Sequence, residues 1–156
     1  MKTVEYLDSP APVWRTTRNR GFLAAALPLM FALAFIWPFG GGGTKVQMTP
    51  NANQTPAAQG TITVSSGNNN NTRIEVKVKN LAPASSLRNP SEVYVVWIQP
   101  ENQSPKNEGQ IDVGSNRSGE LKTETAFKHF KVFITPEKKP TVTEPTGPHV
   151  LNATVS

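Results

Sequence analysis

Cysteine is absent from this chain, which excludes disulfides, thiolate metal sites, iron–sulfur clusters and thiol nucleophiles together. Histidine occurs twice, as His129 and His149, and neither neighbours a nucleophile in a recognisable motif. No serine sits in a G-x-S-x-G elbow, and the carboxylates are scattered rather than paired. GGGG at 40–43 lacks the helix and the Lys-Ser/Thr that complete a phosphate loop. These gaps argue for a protein that is not an enzyme, with no catalytic residues, no metal site, no cofactor and no identifiable small-molecule substrate. N-x-S/T sequences begin at Asn53, Asn70, Asn102, Asn116 and Asn152, as expected by incidence in an Asn/Thr-rich chain.

Charge is equally uninformative about nucleic acid. The net charge of +5 is spread along the chain. Four bases, Lys2, Arg15, Arg18 and Arg20, precede residue 21, and basic residues beyond Gly60 alternate with apolar ones as on a wet strand face. No nucleic-acid partner is expected.

Long apolar runs are also missing, with one exception. FLAAALPLMFALAFIWPF at 22–39 carries no charge, and as a helix it spans roughly 27 Å, close to a bilayer core. Residues 21–39 are therefore read as a transmembrane helix mildly kinked at Pro28. The length of the run and the bulky Trp37-Pro38-Phe39 favour an anchor over a cleaved signal peptide. Arg15, Arg18 and Arg20 crowd the N-terminal flank and only Lys45 follows closely on the other, so residues 1–20 are expected in the cytoplasm. Trp14 and Trp37 lie where interfacial aromatics belong, while Ala24, Ala25, Pro28 and Ala32 are the expected helix-packing positions. The expected partners are the lipid bilayer and other membrane-protein subunits.

Residues 40–59, Gly-rich and then Pro/Asn/Gln-rich, read as a flexible tether. From Gly60 the hydrophobic period becomes two. Strands are predicted at 61–64, 73–79, 92–98, 110–113, 120–124, 128–135 and 149–156, separated by Pro- and Gly-bearing turns. Residues 60–156 are thus expected to form an all-β domain, a small antiparallel Ig-like β-sandwich of about seven strands. Its expected core is Ile74, Val76, Val78, Val95, Trp97, Val113, Leu121, Phe130, Val132, Ile134, Val150 and Leu151.

Three blocks between residues 92 and 155 carry a family resemblance: VYVVWIQP at 93–100, GQIDVGSNRSGEL at 109–121 and FKVFITPEKKPTVTEPTGPHVL at 130–151. They resemble the C-terminal extracytoplasmic domain of membrane-bound anti-sigma-K-type factors of bacteria. The resemblance implies a β domain outside a bacterial inner (cytoplasmic) membrane, in the periplasm. The family's cytoplasmic sigma-binding module has no counterpart in residues 1–20. The expected function is a non-catalytic, single-pass structural subunit of a larger membrane complex of respiratory or photosynthetic type, bracing its periplasmic face. The alternatives are an anti-sigma-like envelope sensor and a periplasmic ligand-binding module.

Overall fold

The computed structural model describes residues 42–156, and every described element is a strand or a short turn. The expected tail, transmembrane helix and helix-packing and interface residues (Trp14, Arg15, Arg18, Arg20, Ala24, Ala25, Pro28, Ala32 and Trp37) lie outside the described residues. Within 42–156, no helix is long and apolar enough to cross a membrane.

Eight strands form the domain: β1 (Thr44–Pro50), β2 (Gln59–Ser66), β3 (Thr72–Lys79), β4 (Val93–Pro100), β5 (Lys106–Ile111), β6 (Gly119–Thr125), β7 (Phe130–Glu137) and β8 (Leu151–Val155). All pairings are antiparallel, and the order is β5-β4-β7-β8-β1-β2-β3-β6. β1 serves two sheets. Thr44–Met48 pairs with β2, whereas Thr49 and Pro50 pair with β8. The two sheets of a sandwich are thereby joined along one side into a barrel-like wall. Across the other side β5 faces β6, where the Thr123 hydroxyl donates to Glu108 Oε2 at 2.6 Å.

Two expectations need correction. The segment 40–59 is not a tether throughout, because β1 and the first residue of β2 fall inside it. Val46 and Met48 alternate with polar residues, and β2 and β8 supply the pairing that composition does not reveal. The strand order is also not that of an Ig domain, in which a later strand lies beside the second. Here the Asn-rich connection 67–71 folds β3 straight back onto β2, with Asn69 and Asn70 in the left-handed region at φ 50° and 61°.

Alternation decides which side chains enter the core. On β3, Ile74, Val76 and Val78 are buried while Arg73, Lys77 and Lys79 are exposed. On β4 and β7, Tyr94, Val96, Ile98, Phe130, Val132 and Ile134 join them in the main core with Leu151 and Val155. Tyr94 donates its hydroxyl to the Ala82 carbonyl at 2.7 Å, and burial pushes its pKa up to about 12. Of the expected core, Val113 and Leu121 are only half-buried, since both flank the β5–β6 side. Val95 and Trp97 are fully buried but in a different place. They project from the opposite face of β4, into a second cluster with Phe133.

Candidate functional site

That second cluster marks the most unusual part of the molecule. The outer face of β4 and β7 is covered by an irregular segment, residues 138–149, here called the strap. Val95, Trp97 and Phe133 lie beneath it, with Val93 and Val142 packed at the margins. The Trp97 and Phe133 rings stack with centroids 6.3 Å apart, and His149 stacks on Phe133 at 4.0 Å.

A polar chain runs beside the aromatics. Trp97 Nε1–H donates to Thr135 Oγ1 at 2.8 Å, and the Thr135 hydroxyl donates to Glu137 Oε1 at 2.6 Å. Positions 135 and 137 share the strap-facing side of β7 by the two-residue period of a strand. Glu137 is 1% exposed, yet its carboxylate is fully engaged. Main-chain N–H groups of Thr146 and Gly147 donate to Oε1 at 2.9 and 3.2 Å, and the Thr146 hydroxyl donates to Oε2. Burial alone would raise the Glu137 pKa; donors from Thr135, Thr146 and Gly147 outweigh it and hold the carboxyl below its ordinary value. Among the described residues every buried side-chain N or O atom has a partner.

The local sequence explains the fit. Pro145 and Pro148 bracket the Thr146-Gly147 pair, and a Cβ at Gly147 would overlap the Pro136 carbonyl oxygen. Asn107 Nδ2 holds the strap's other half, donating to the carbonyls of Pro140 at 2.9 Å and Val142 at 2.7 Å. Lys138 Nζ donates to the Pro90 carbonyl at 2.6 Å.

His149 is lowered from its ordinary pKa, first by burial against Phe133 and then by the positive charge of Lys131. Lys131→Gln removes the second cause, so the His149 pKa is expected to rise. An imidazole NMR titration checks this; an unchanged or lower value refutes the assigned cause. His129, on the exposed turn before β7, takes no part in the cluster.

The outer face of the β1–β2–β3–β6 sheet is different in kind. Arg73, Glu75 and Lys77 on β3 stand opposite Glu124, Lys122 and Glu120 on β6, so charges alternate along each strand and oppose across the pair. Ion pairs link Arg73 to Glu124 at 3.0 Å, Lys122 to Glu75 at 3.3 Å and Lys77 to Glu120 at 3.6 Å. Lys77 and Lys122 lower the Glu75 pKa, and the carboxylates of Glu75 and Glu120 raise both lysines. An open groove of about 720 Å³ lies along this face beside Lys45, Gln47, Thr61 and Thr63. It has no aromatic lining and no unpaired buried polar group. The ladder sets strand register and wets the face, and solvent-exposed pairs of this kind add little to stability.

The sequence singled out Trp97 as core, and the structure places it so; His129 and His149 are both solvent-exposed. It did not single out Thr135, Glu137, Thr146 or Gly147. The available signal was the PTGP turn following FITPE, with two donor residues bracketed by proline, nine and ten residues beyond a strand-end glutamate. Among the described residues no group of three or more His, Cys, Asp or Glu is placed to hold a metal ion.

The chain matches no protein-family model, no curated protein and no solved structure.

Proposed function

We propose that the chain is a non-catalytic, single-pass accessory subunit of a bacterial inner-membrane complex, with its N-terminus cytoplasmic and its β domain bracing the periplasmic face of the complex. The observation that carries this reading is where β1 begins. Only Gly40–Gly43 separates the apolar run ending at Phe39 from Thr44. Four residues reach at most about 14 Å, against roughly 70 Å for an extended 20-residue tether. A short leash suits a domain that works at one fixed height above a membrane. The extensive ion-pair ladder and the strapped aromatic face suit a rigid body. Trp97 and Phe133, both buried, are closed to a stacking ligand, which counts against a glycan-binding module.

The test is to solubilise the full chain gently, identify what co-purifies, and then insert a 12-residue Gly/Ser spacer between Gly41 and Gly42. Such a spacer adds roughly 20 Å of root-mean-square reach. Partner subunits are expected to co-purify with the native chain and to be lost or sharply depleted after the insertion. A chain that migrates alone before insertion refutes the accessory-subunit reading. Partners retained after insertion refute the fixed-height bracing. An envelope sensor acting through residues 1–20 would instead yield a cytoplasmic regulator, recovered with that tail.

A further inference from the structure

We infer that the strap, residues 138–149, opens as a unit separate from the barrel, with Glu137 as the latch that holds it shut over the Trp97–Phe133 face. The inference concerns the β domain alone and is independent of how the chain is anchored.

Three observations converge on it. First, the strap and its floor differ sharply in burial. No residue from 138 to 149 is buried, and Val142, Pro145 and Gly147 are the only half-buried ones. Directly beneath, residues 94–98 of β4 and 132–137 of β7 are buried without a break. Segments with few buried apolar contacts open at far lower free energy than the sheet they rest on.

Second, the attachments are concentrated in a few side chains. The strap contributes no strand to the sheet. It is held by the Glu137 carboxylate at Thr146 and Gly147, by the Asn107 amide at Pro140 and Val142, by Lys138 at Pro90, and at its C-terminal end by the Asn51 amide on the His149 carbonyl and the His149–Phe133 stack. Glu137 alone accepts three of these bonds, and as an ionised acceptor it makes them charge-assisted.

Third, both ends are pinned. Glu137 closes β7, where its carbonyl accepts the Glu92 N–H at 3.0 Å. Val150 is fully buried; its N–H donates to Ile134, and its carbonyl accepts from Asn51 N–H and the Thr55 hydroxyl. The middle can therefore lift while the ends stay put. What lifting uncovers is an apolar strip, Val93, Val95, Trp97 and Phe133, that forms a cluster separate from the barrel's main core.

Amide hydrogen exchange with peptide-level mass spectrometry, on the full chain in detergent at neutral pH, tests this. In the native protein, peptides from 138–149 are expected to exchange faster than those of β4 and β7. Glu137→Gln keeps the shape and removes the charge. It is expected to speed exchange of the strap by about tenfold or more, the consequence of weakening hydrogen bonds to one charged group, with β4 and β7 unchanged. Asn107→Ala, which leaves the latch intact, is expected to speed exchange around 140–142 and serves if the first variant does not fold. Trypsin is expected to cut Lys138–Lys139 faster in both. The inference is overturned if strap and barrel peptides exchange at one common rate. It is equally overturned if the variants accelerate β4 and β7 as much as the strap, for then the strap belongs to the same cooperative unit.

Discussion

Trp97→Ala is expected to destabilise the β domain by about 3–5 kcal/mol, the range for deleting a fully buried large aromatic. The reason lies in the position of the side chain. Trp97 is inaccessible to solvent, yet it stands outside the barrel, sandwiched between β4 and the strap. Its removal takes away the surface against which Phe133 stacks and Val142 packs. It also deprives Thr135 of the indole donor that orients its hydroxyl toward Glu137. The strap then loses packing and alignment at once. Trp97→Phe keeps one aromatic ring but loses the hydrogen bond and part of the buried volume, so a smaller cost of about 1–3 kcal/mol is expected. Denaturant unfolding of the two variants, followed by far-ultraviolet circular dichroism, separates these terms. A cost below about 1 kcal/mol for the alanine variant would mean that this face contributes little to stability.

The sheet was legible because burial follows a two-residue period that needs no distant information. RIEVKVK announces β3 by itself, and the continuous apolar run VYVVWI announces a strand covered on both faces. What covers the second face was not legible. A strand apolar on both sides fits a central strand between two layers equally well, whereas here the outer layer is an irregular, solvent-washed strap. β1 was hidden for a related reason: its two apolar residues gain meaning only from Ile62 of β2 and the start of β8. The beginning of β5 was obscured by local irregularity. The pairing with β4 shifts register between Val96 and Trp97, and Gly109 adopts φ 120°, so alternation fails at Glu108 and Gly109. Glu137 illustrates the limit most clearly. In sequence it is an acidic residue leaving a strand, the usual sign of exposure. Its burial is created by Thr146 and Gly147, whose own position depends on the sheet having formed.

Acidification is expected to weaken strap closure in two separate steps, and the signs follow from the two shifted groups. His149 has a folded pKa below its ordinary 6.5, so the closed strap favours the neutral ring. As the pH falls through 6.5, an open strap takes up the proton first, and closure weakens until the lowered folded value is passed. Glu137 follows at lower pH. Its folded pKa lies below the ordinary 4.5, so closure is fully supported above that value. Support is lost as the pH falls from there through the folded value, when protonation removes the charge that Thr146 and Gly147 recognise. The other charged groups on the adjoining segments are Glu92, Lys131, Lys138, Lys139 and Glu144, and of these Lys131 opposes protonation of His149. His149→Phe, which keeps a ring for Phe133 to stack on, is expected to abolish the first step alone. Glu137→Gln is expected to abolish the second while leaving the strap more open at every pH. Exchange of strap amides, corrected for the intrinsic pH dependence of exchange, reads both steps. A single transition in which β4 and β7 lose protection together with the strap would show that acid acts on the whole barrel and that Glu137 is no latch.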